Sequence, residues 1–350
     1  MKEGSINLYS DTQTRPTPAM RQAMLEADLG DEQLGLDPSV NRLCTQVADL
    51  LGQEAAVLLP SGTMCNEIAM LVHCRAGEEI YAHHTAHIIN YEAGGAAALA
   101  GAAVRALDGA RGIYSADTLR AALRGQNRYE PVPRLVEIEQ TAQGGGGAVW
   151  SLDDIGAVAA AAKARDLLLH MDGARLFNAV VASGVSARRY AASFDSVWID
   201  LTKGLGCPVG AVLAGSARFI DEAWRWKQRM GGAMRQAGML AAAGLYALDH
   251  HVDRLAEDHE NARRFGEIVS RGDGIRLVFE PIETNLIFVD VSGAGVSARN
   301  VRARLEARGI NVGARSEAIL RIVTHLDVSR AQVEKAAQAL VETVEERAVS

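Results

Sequence analysis

Short apolar runs alternate with stretches of helical periodicity from about residue 40 to about residue 215. Several of these runs are almost continuously apolar, as expected of strands covered on both faces in a parallel sheet. The predicted strands lie in EAAVLLPSG, EEIYAH, AAVRAL, PRLVEIEQ, LLLHMDGA, SVWIDLTKG and GAVLAG. Helical segments such as LDDIGAVAAAAKARD separate them, with Ser151 as the expected N-cap. This order predicts a doubly wound α/β domain.

The pattern changes after about residue 216, where helical sequence predominates as far as residue 271. Shorter apolar segments follow (TNLIFVDV, INVGAR and AILRIVTH), and the chain closes with the helical pattern SRAQVEKAAQALVETVEER. We therefore predict a large domain with an N-terminal arm over residues 1–245 and a small α+β domain over residues 246–350.

The composition of the chain argues against nucleic acid and anionic membranes as binding partners. The chain carries 36 basic and 43 acidic residues, a net charge of −7, so no overall basic field attracts nucleic acid or an anionic membrane. Its four cysteines have no CxxC spacing, which favours reduced thiols in a cytoplasmic protein. We find no secretory signal and no apolar stretch approaching 18 residues, and we expect no membrane span.

Charged residues follow two of the predicted strands. Asp172 and Arg175 come after LLLHM, and Lys203 comes after SVWIDLT, where open α/β sheets bind ligands. A lysine amine at this edge could clamp a phosphate or form a Schiff base with an aldehyde. Asp172 could hold a pyridinium nitrogen protonated, or it could simply end a strand at a solvated turn.

Two further motifs bear on the chemistry. In LLPSGTMCNE, Gly62 and Thr63 stand between a strand and a helix, where backbone N–H groups can bind a phosphate. His83 and His87 are four residues apart, but no acidic or cysteine ligand accompanies them at a known spacing, and we expect no metal site. His87 could stack on a pyridine ring, or its role could be purely structural. The GxxxxGK[ST] and GxGxxG patterns are both missing, which argues against a P-loop and against a dinucleotide-binding dehydrogenase.

The whole chain resembles the low-specificity L-threonine aldolases. The segments that carry this resemblance run in order from end to end: LYSDTQTRPTPAMRQAM, LLPSGTMCNEIAML, AHIINYEAGGAA, HMDGARLFNAVVA, LTKGLGCPVGAVLAG, MGGAMRQAGMLAAAGLYAL and LRIVTHLDVSR. The resemblance implies the aspartate aminotransferase fold (fold type I), pyridoxal 5′-phosphate as cofactor, and cleavage of β-hydroxy-α-amino acids to glycine and an aldehyde. Another pyridoxal-phosphate reaction remains open (β-elimination, racemisation, or cleavage of a bulkier or aryl substrate), as does a dimeric scaffold without catalysis.

The resemblance also implies roles for residues around the cofactor ring. Lys203 would form the Schiff base, Asp172 would pair with the pyridine nitrogen, and His87 would stack on the ring, which makes these three the catalytic residues. Arg175 would reach the 3-oxygen of the cofactor and would also contact the substrate.

Other residues would bind the phosphate and the substrate carboxylate. Gly62 and Thr63 would hold the phosphate, with Arg235 supplied by the partner subunit. Ser10 and Arg321 would bind the carboxylate of a small amino acid, the arginine through a bidentate fork. The resemblance thus predicts a homo-oligomer whose dimer forms the active site; it favours a tetramer, but the sequence leaves the choice between dimer and tetramer open.

Two positions depart from the family pattern. EQTAQ stands where the family has E-N-T-H-N, which places Ala142 at the histidine, and QLGLDP stands where it has V-Y-G-D-D-P, which places Leu34 at the tyrosine. Both changes remove polar groups expected near the substrate β-carbon, so we expect a preference for a bulkier or more apolar β-substituent. The glycine run 144–147 predicts a flexible turn near the mouth of the site.

Overall fold

The computed structural model describes residues 4–125 and 127–346. Within these residues the strands are β1 (Ile6–Asn7), β2 (Ala55–Leu59), β3 (Glu78–His83), β4 (Ala103–Leu107), β5 (Val132–Glu139), β6 (Leu168–Gly173), β7 (Ser196–Asp200), β8 (Ala211–Gly215), β9 (Arg276–Leu277), β10 (Leu286–Asp290), β11 (Ile310–Asn311), β12 (Gly313–Ala314) and β13 (Ile319–Val323).

The α-helices are α1 (Pro18–Leu25), α2 (Pro38–Leu51), α3 (Gly62–His73), α4 (His87–Asn90), α5 (Gly95–Ala98), α6 (Ala116–Ala122), α7 (Leu152–Lys163), α8 (Leu176–Ser183), α9 (Ala187–Ala191), α10 (Ala217–Arg229), α11 (Gly238–His250), α12 (Leu255–Val269), α13 (Ala298–Ala307) and α14 (Arg330–Glu345). Short 3₁₀ turns cover Asp11–Gln13, Glu32–Leu34, Gln143–Gly145 and Ser292–Ala294. No helix among residues 4–125 and 127–346 combines the length and apolar character needed to cross a membrane.

The seven predicted strands of the large domain form one sheet, in the order β2-β8-β7-β6-β5-β3-β4. Strand β8 runs antiparallel to both of its neighbours, and the other pairs from β7 to β4 are parallel. Every residue of β7 and β8 is buried, which accounts for their nearly unbroken apolar sequence. The mostly parallel sheet predicted from the sequence is confirmed.

Serine caps fix where several helices begin. The Ser61 hydroxyl accepts the backbone N–H of Met64 at the start of α3, directly after β2. Ser151 accepts the N–H of Asp154 at 3.0 Å, as the sequence predicts for α7. Such caps satisfy backbone donors that have no partner inside the helix. The short link from β2 to α3 therefore brings the first turn of α3 to the carboxyl edge of the sheet.

The C-terminal part contains an antiparallel sheet in the order β12-β13-β10-β9. A separate apolar core joins this sheet to α12, α13 and α14, and it includes Ile6 and Leu8 of the N-terminal arm. Strand β1 of the arm pairs in parallel with β11. The arm thus packs with the C-terminal part of the fold, and the domain boundary at residue 245 stays a prediction.

The long helical pattern over residues 236–271 forms two helices, α11 and α12, with a break at residues 251–254. Helix α11 packs on α1 and α2, beside the large sheet, and α12 packs on α14. The two halves of the pattern therefore bury their apolar faces in different parts of the molecule.

The glycine run 144–147 forms a closely packed turn. A Cβ atom on Gly145 would lie 1.8 Å from the carbonyl oxygen of Arg111, and one on Gly147 would lie 2.2 Å from Oγ1 of Thr284. Gly146 and Gly147 also have positive φ angles of 80° and 71°. Packing and backbone conformation both call for glycine in this turn.

Candidate active site

A cavity of about 290 Å³ opens at the carboxyl edge of the large sheet. Eight of the nine site residues predicted from the sequence line it: Ser10, Gly62, Thr63, His87, Asp172, Arg175, Lys203 and Arg321. They converge because β6 and β7 are parallel neighbours that end side by side, while the N-terminal arm contributes Ser10 and β13 contributes Arg321.

Asp172 ends β6 inside the cavity wall, with 1% of its surface exposed. Oδ1 accepts the backbone N–H of Ala174 at 3.0 Å, and Oδ2 accepts the side-chain amide of Asn66 at 2.9 Å. Because both oxygens accept hydrogen bonds, the surroundings suit an ionised carboxylate. The alternative that Asp172 simply ends a strand at a solvated turn is therefore wrong.

Arg175 is also buried, and its charge is balanced by Asp11. Nε donates to Oδ2 of Asp11 at 2.8 Å and Nη2 donates to Oδ1 at 2.7 Å, while Asn285 donates a third hydrogen bond to the same carboxylate. Burial alone would raise the pKa of Asp11, but the charge of Arg175 prevails and lowers it far below its ordinary value. This pair fixes the guanidinium of Arg175 against the cavity.

Lys203 follows β7, and its amine forms an ion pair with Asp200, three residues earlier. The amine lies 5.7 Å from the centre of the Trp198 ring. The backbone is held as well, because Thr14 donates its hydroxyl to the carbonyl of Lys203 at 2.8 Å. The lysine is therefore presented to the cavity from a fixed main chain.

Gly62 and Thr63 form the first residues of α3 and also line the cavity. A Cβ atom on Gly62 would lie 2.2 Å from the Trp198 ring, so only glycine fits there. The N–H groups of a first helical turn have no partner inside the helix and carry partial positive charge. This turn can bind an anion such as a phosphate.

His87 begins α4, and carboxylates hold both its backbone and its ring. Its backbone N–H donates to Glu139 at 2.9 Å, and Nδ1 lies 2.7 Å from Oε1 of Glu92. Burial opposes protonation of the ring, but the hydrogen bond to Glu92 and the charge of Asp172 outweigh it and raise the pKa of His87. With Nδ1 donating to Glu92, Nε2 is the nitrogen left to exchange a proton with a ligand.

Three buried carboxylates, Glu137, Glu139 and Asp172, offer oxygens within 4.8 Å of one another. Burial and the charge of Asp172 raise the pKa of Glu139 to about 7, although Gln143 and His87 donate hydrogen bonds to it. Burial and the same charge raise the pKa of Glu137 well above its ordinary range. Protons on these glutamates reduce the negative charge of the cluster, and the expected absence of a metal stays a prediction.

Two of the substrate-binding residues predicted from the sequence, Ser10 and Arg321, line the cavity from the N-terminal arm and from β13. Ser10 caps the turn at Asp11–Gln13, with its hydroxyl 2.8 Å from that of Thr12. Arg321 donates to the carbonyl of Tyr9 and to Oε1 of Gln143, both at 3.4 Å, and its buried Nε has no partner among the described residues. Burial and the charge of Arg175 lower the pKa of Arg321 to about 10. An incoming carboxylate would satisfy this underused guanidinium.

The three remaining positions lie outside the cavity in this chain. Arg235 is 64% exposed and pairs with Asp31, so its supply by a partner subunit stays a prediction. Leu34 is 70% exposed on the 3₁₀ turn Glu32–Leu34. The expectation that Ala142 borders the reacting centre is corrected, because Ala142 is buried under Gly112 while the next residue, Gln143, lines the cavity.

Sequence reasoning missed five polar residues that position the others: Asp11, Asn66, Glu92, Glu139 and Asp200. A local signal existed for Asp200, three residues before Lys203, and for Glu139, at the end of a buried strand. The partners of Asp11, Asn66 and Glu139 lie on distant segments of the chain, and no spacing in the sequence indicates those contacts.

Comparison with known proteins gives consistent matches. The family model described as beta-eliminating lyase matches residues 7–294. The chain is 40% identical to the low-specificity L-threonine aldolase of Escherichia coli (strain K12) over 333 residues, 95% of this chain and 97% of that one. It is 39% identical to low-specificity L-threonine aldolase 1 of Arabidopsis thaliana over 334 residues, 94% and 93% of the two chains. The solved threonine aldolase of Leishmania major aligns with a TM-score of 0.84 at 20% identity, covering 97% of this chain and 99% of that one, which confirms the predicted fold.

Proposed function

Because the chain belongs to the beta-eliminating lyase family, we propose that its cavity carries out the reaction named for its threonine aldolase relatives. The enzyme is a carbon–carbon lyase, an aldehyde-lyase that cleaves threonine-type β-hydroxy-α-amino acids to glycine and an aldehyde. The observation that carries this proposal is the convergence of Asp172, Lys203 and the start of α3 on one cavity.

The residues of the cavity fit pyridoxal 5′-phosphate. The helix start at Gly62 and Thr63 suits its phosphate, and the Asp172 carboxylate suits a protonated pyridine nitrogen. Lys203 offers an amine for its aldehyde, and Arg175 lies fixed beside them. When bound, this cofactor supplies an electron sink for the electrons released at the substrate α-carbon.

The protein groups then bind the substrate and move its protons. Arg321 binds the α-carboxylate, with Ser10 beside it, and so sets which bond of the substrate faces the catalytic groups. We assign removal of the hydroxyl proton to Nε2 of His87, because Nδ1 is engaged with Glu92. The buried Glu92 stabilises the imidazolium that results.

The preference for a bulky substrate that the sequence suggested rested partly on Ala142. That residue lies outside the cavity, whereas Gln143 lines it and supplies a polar group next to Arg321. We therefore assign no substrate side chain beyond the threonine type.

The active enzyme is proposed to be a homodimer or a pair of dimers. Large apolar side chains lie exposed on residues 25–36 and close to Arg235 in the chain: Leu25, Leu29, Leu34, Leu36 and Met239. The backbone N–H of Glu32 bonds to the carbonyl of Arg235, so these residues form one surface. Burying this surface against a second copy would also bring Arg235 and Leu34 to a neighbouring cavity. Its four free thiols suit a cytoplasmic enzyme.

The test uses purified protein supplied with pyridoxal phosphate. We expect aldehyde release from threonine, allo-threonine or phenylserine, and none after Lys203→Ala. Borohydride, which makes a bond between this cofactor and a lysine permanent, should add the cofactor mass only to the peptide that contains residue 203. Lys163→Ala, at an exposed position in α7, is the matched control and should behave as wild type. Labelling of another lysine, or no aldehyde from any of the three substrates, would overturn the proposal.

A further inference from the structure

A continuous line of hydrogen bonds reaches Asp172 from the far end of α3. It starts at His73, the last residue of that helix, and runs through Ser196 of β7 and His170 of β6 to Asn66. Asn66 then donates to Asp172. Because His73 and Asn66 are seven residues apart on α3, the line follows about 10 Å of the helix. Each member is at least nine-tenths buried.

The side-chain amide of Asn66 can have only one orientation. Its Oδ1 accepts the indole N–H of Trp198 at 2.6 Å, and an indole nitrogen can only donate. Its Nδ2 faces two carboxylates, Oδ2 of Asp172 at 2.9 Å and Oε1 of Glu92 at 2.7 Å. Reversing the amide would set an acceptor against both carboxylates, which fixes the direction of every other bond in the line.

The direction follows link by link. Since Oδ1 of Asn66 can only accept, His170 must carry its proton on Nε2, at 3.0 Å. Nδ1 of a neutral His170 is then an acceptor, so the Ser196 hydroxyl donates to it at 2.8 Å. Ser196 in turn accepts from Nε2 of His73 at 2.8 Å. Burial lowers the pKa of His170 and of His73 to about 3, so both rings are neutral at physiological pH.

The sheet register holds these groups in place. His170 pairs with Ser196, and Asp172 pairs with Trp198, on the neighbouring strands β6 and β7. These two residue pairs, separated by the pair Met171–Val197, thus supply three groups that bond to the Asn66 amide: His170, Asp172 and Trp198. A fixed donor costs little reorganisation when charge changes nearby.

We propose that Asn66, His170 and Ser196 are positioning residues that lock the donor side of one amide onto Asp172 and so hold this carboxylate as an anion towards the cavity. Only the catalytic use of the Asp172 anion rests on the proposed function. The hydrogen-bond directions themselves are properties of the chain and can be measured without any reaction.

The first test reads the protonated nitrogen of each histidine. The full-length protein labelled with ¹⁵N-histidine is studied by NMR between pH 6 and 9, with and without pyridoxal phosphate, and His170→Gln identifies the His170 signals. We expect His170 to be neutral with its proton on Nε2 throughout, and Ser196→Ala to leave the proton there while shifting the Nδ1 signal, because Nδ1 loses its hydrogen-bond donor. A doubly protonated His170, a proton on Nδ1, or no response to Ser196→Ala overturns the proposal.

The second test is a double-mutant cycle on kcat of the loaded enzyme. Ser196→Ala should lower kcat about threefold, as for one neutral hydrogen bond, and Asn66→Asp at least about tenfold, with smaller effects on KM. Ser196→Ala should then cost nothing further in the Asn66→Asp background, because its effect passes through the amide. Fully additive losses would overturn the proposal.

Thr343→Val is the matched control for the cycle. It removes a buried hydroxyl on α14, far from the cavity, and should leave kcat unchanged. If Asn66→Asp does not fold, the NMR arm with Ser196→Ala decides alone. If the wild type binds no pyridoxal phosphate and cleaves none of the substrates, the proposed function fails while the NMR arm still decides whether the hydrogen-bond line exists.

Discussion

The substitution Asp11→Asn should destabilise the fold strongly. It removes the only carboxylate that bonds to the Arg175 guanidinium among the described residues, at a place where the two side chains are 0% and 4% exposed. Leaving one charge of a buried pair without its partner typically costs about 3–5 kcal/mol. The asparagine keeps one accepting oxygen, so we expect the loss in unfolding free energy to be about 3 kcal/mol.

The assay is urea unfolding of the cofactor-free protein, followed by tryptophan fluorescence. Asp117→Asn is the matched control, because Asp117 pairs with Arg120 at 2.5 Å with side chains that are 91% and 56% exposed. An exposed pair contributes at most about 1 kcal/mol, so the control should change little. Equal losses for the two variants would refute the reasoning that burial makes the Asp11 pair costly to break.

The same pair predicts a pH dependence with a definite sign. The charge of Arg175 lowers the pKa of Asp11 in the folded state below its ordinary value of 3.8. A depressed carboxyl pKa stabilises the fold fully above the unfolded value and loses that contribution as pH falls towards the folded value. The difference between wild type and Asp11→Asn should therefore stay constant from pH 5 to 8 and narrow below about pH 4.

Three further predictions, one of them with a control substitution, test other parts of the structure. Gly62→Ala should disrupt the start of α3, because its Cβ would lie 2.2 Å from the Trp198 ring. The control Gly156→Ala on α7 has open space around it and should stabilise the helix by up to about 1 kcal/mol. Thermal unfolding of the two variants tests this difference. Arg321→Lys should raise KM for amino acid substrates at least about tenfold with a smaller effect on kcat, because lysine cannot form a bidentate fork; steady-state kinetics that show unchanged saturation would contradict this. Burial raises the pKa of Glu139 from 4.5 to about 7, so its proton stabilises the folded state below pH 4.5 and this contribution is lost as pH rises through 7. Glu139→Gln should remove that decline from a series of urea titrations over pH 4.5–7.5.

The sheet could be predicted because its strands are continuous apolar runs, and Asp172 and Lys203 stood out because each ends such a run. The break between α11 and α12 could not be predicted, because residues 251–254 contain neither glycine nor proline and the helical pattern continues through them. Only packing on two different cores separates these helices.

The positions of side chains that depend on contacts between distant segments could not be predicted from the sequence either. Asp11 meets Arg175 across 164 residues, and Asn66 meets Asp172 across 106, so neither contact leaves a periodic trace in the sequence. Ala142 and Gln143 are neighbours in the chain, yet only Gln143 reaches the cavity, because its backbone N–H is held by Glu139 at 2.7 Å. A family pattern supplies the position along the chain, and the local turn decides which side chain enters the site.

The glycine run 144–147 has a mechanical consequence. Its turn is wedged between Arg111 on one side and Phe279 and Thr284 of the C-terminal part on the other, with too little space for a single methyl group. Because these contacts leave no room for the turn to yield, a rotation of the C-terminal part relative to the large sheet would shift Gln143, which lines the cavity. Since the turn is too tightly packed to deform, opening and closing of the cleft would move the Gln143 side chain, which contacts Arg321.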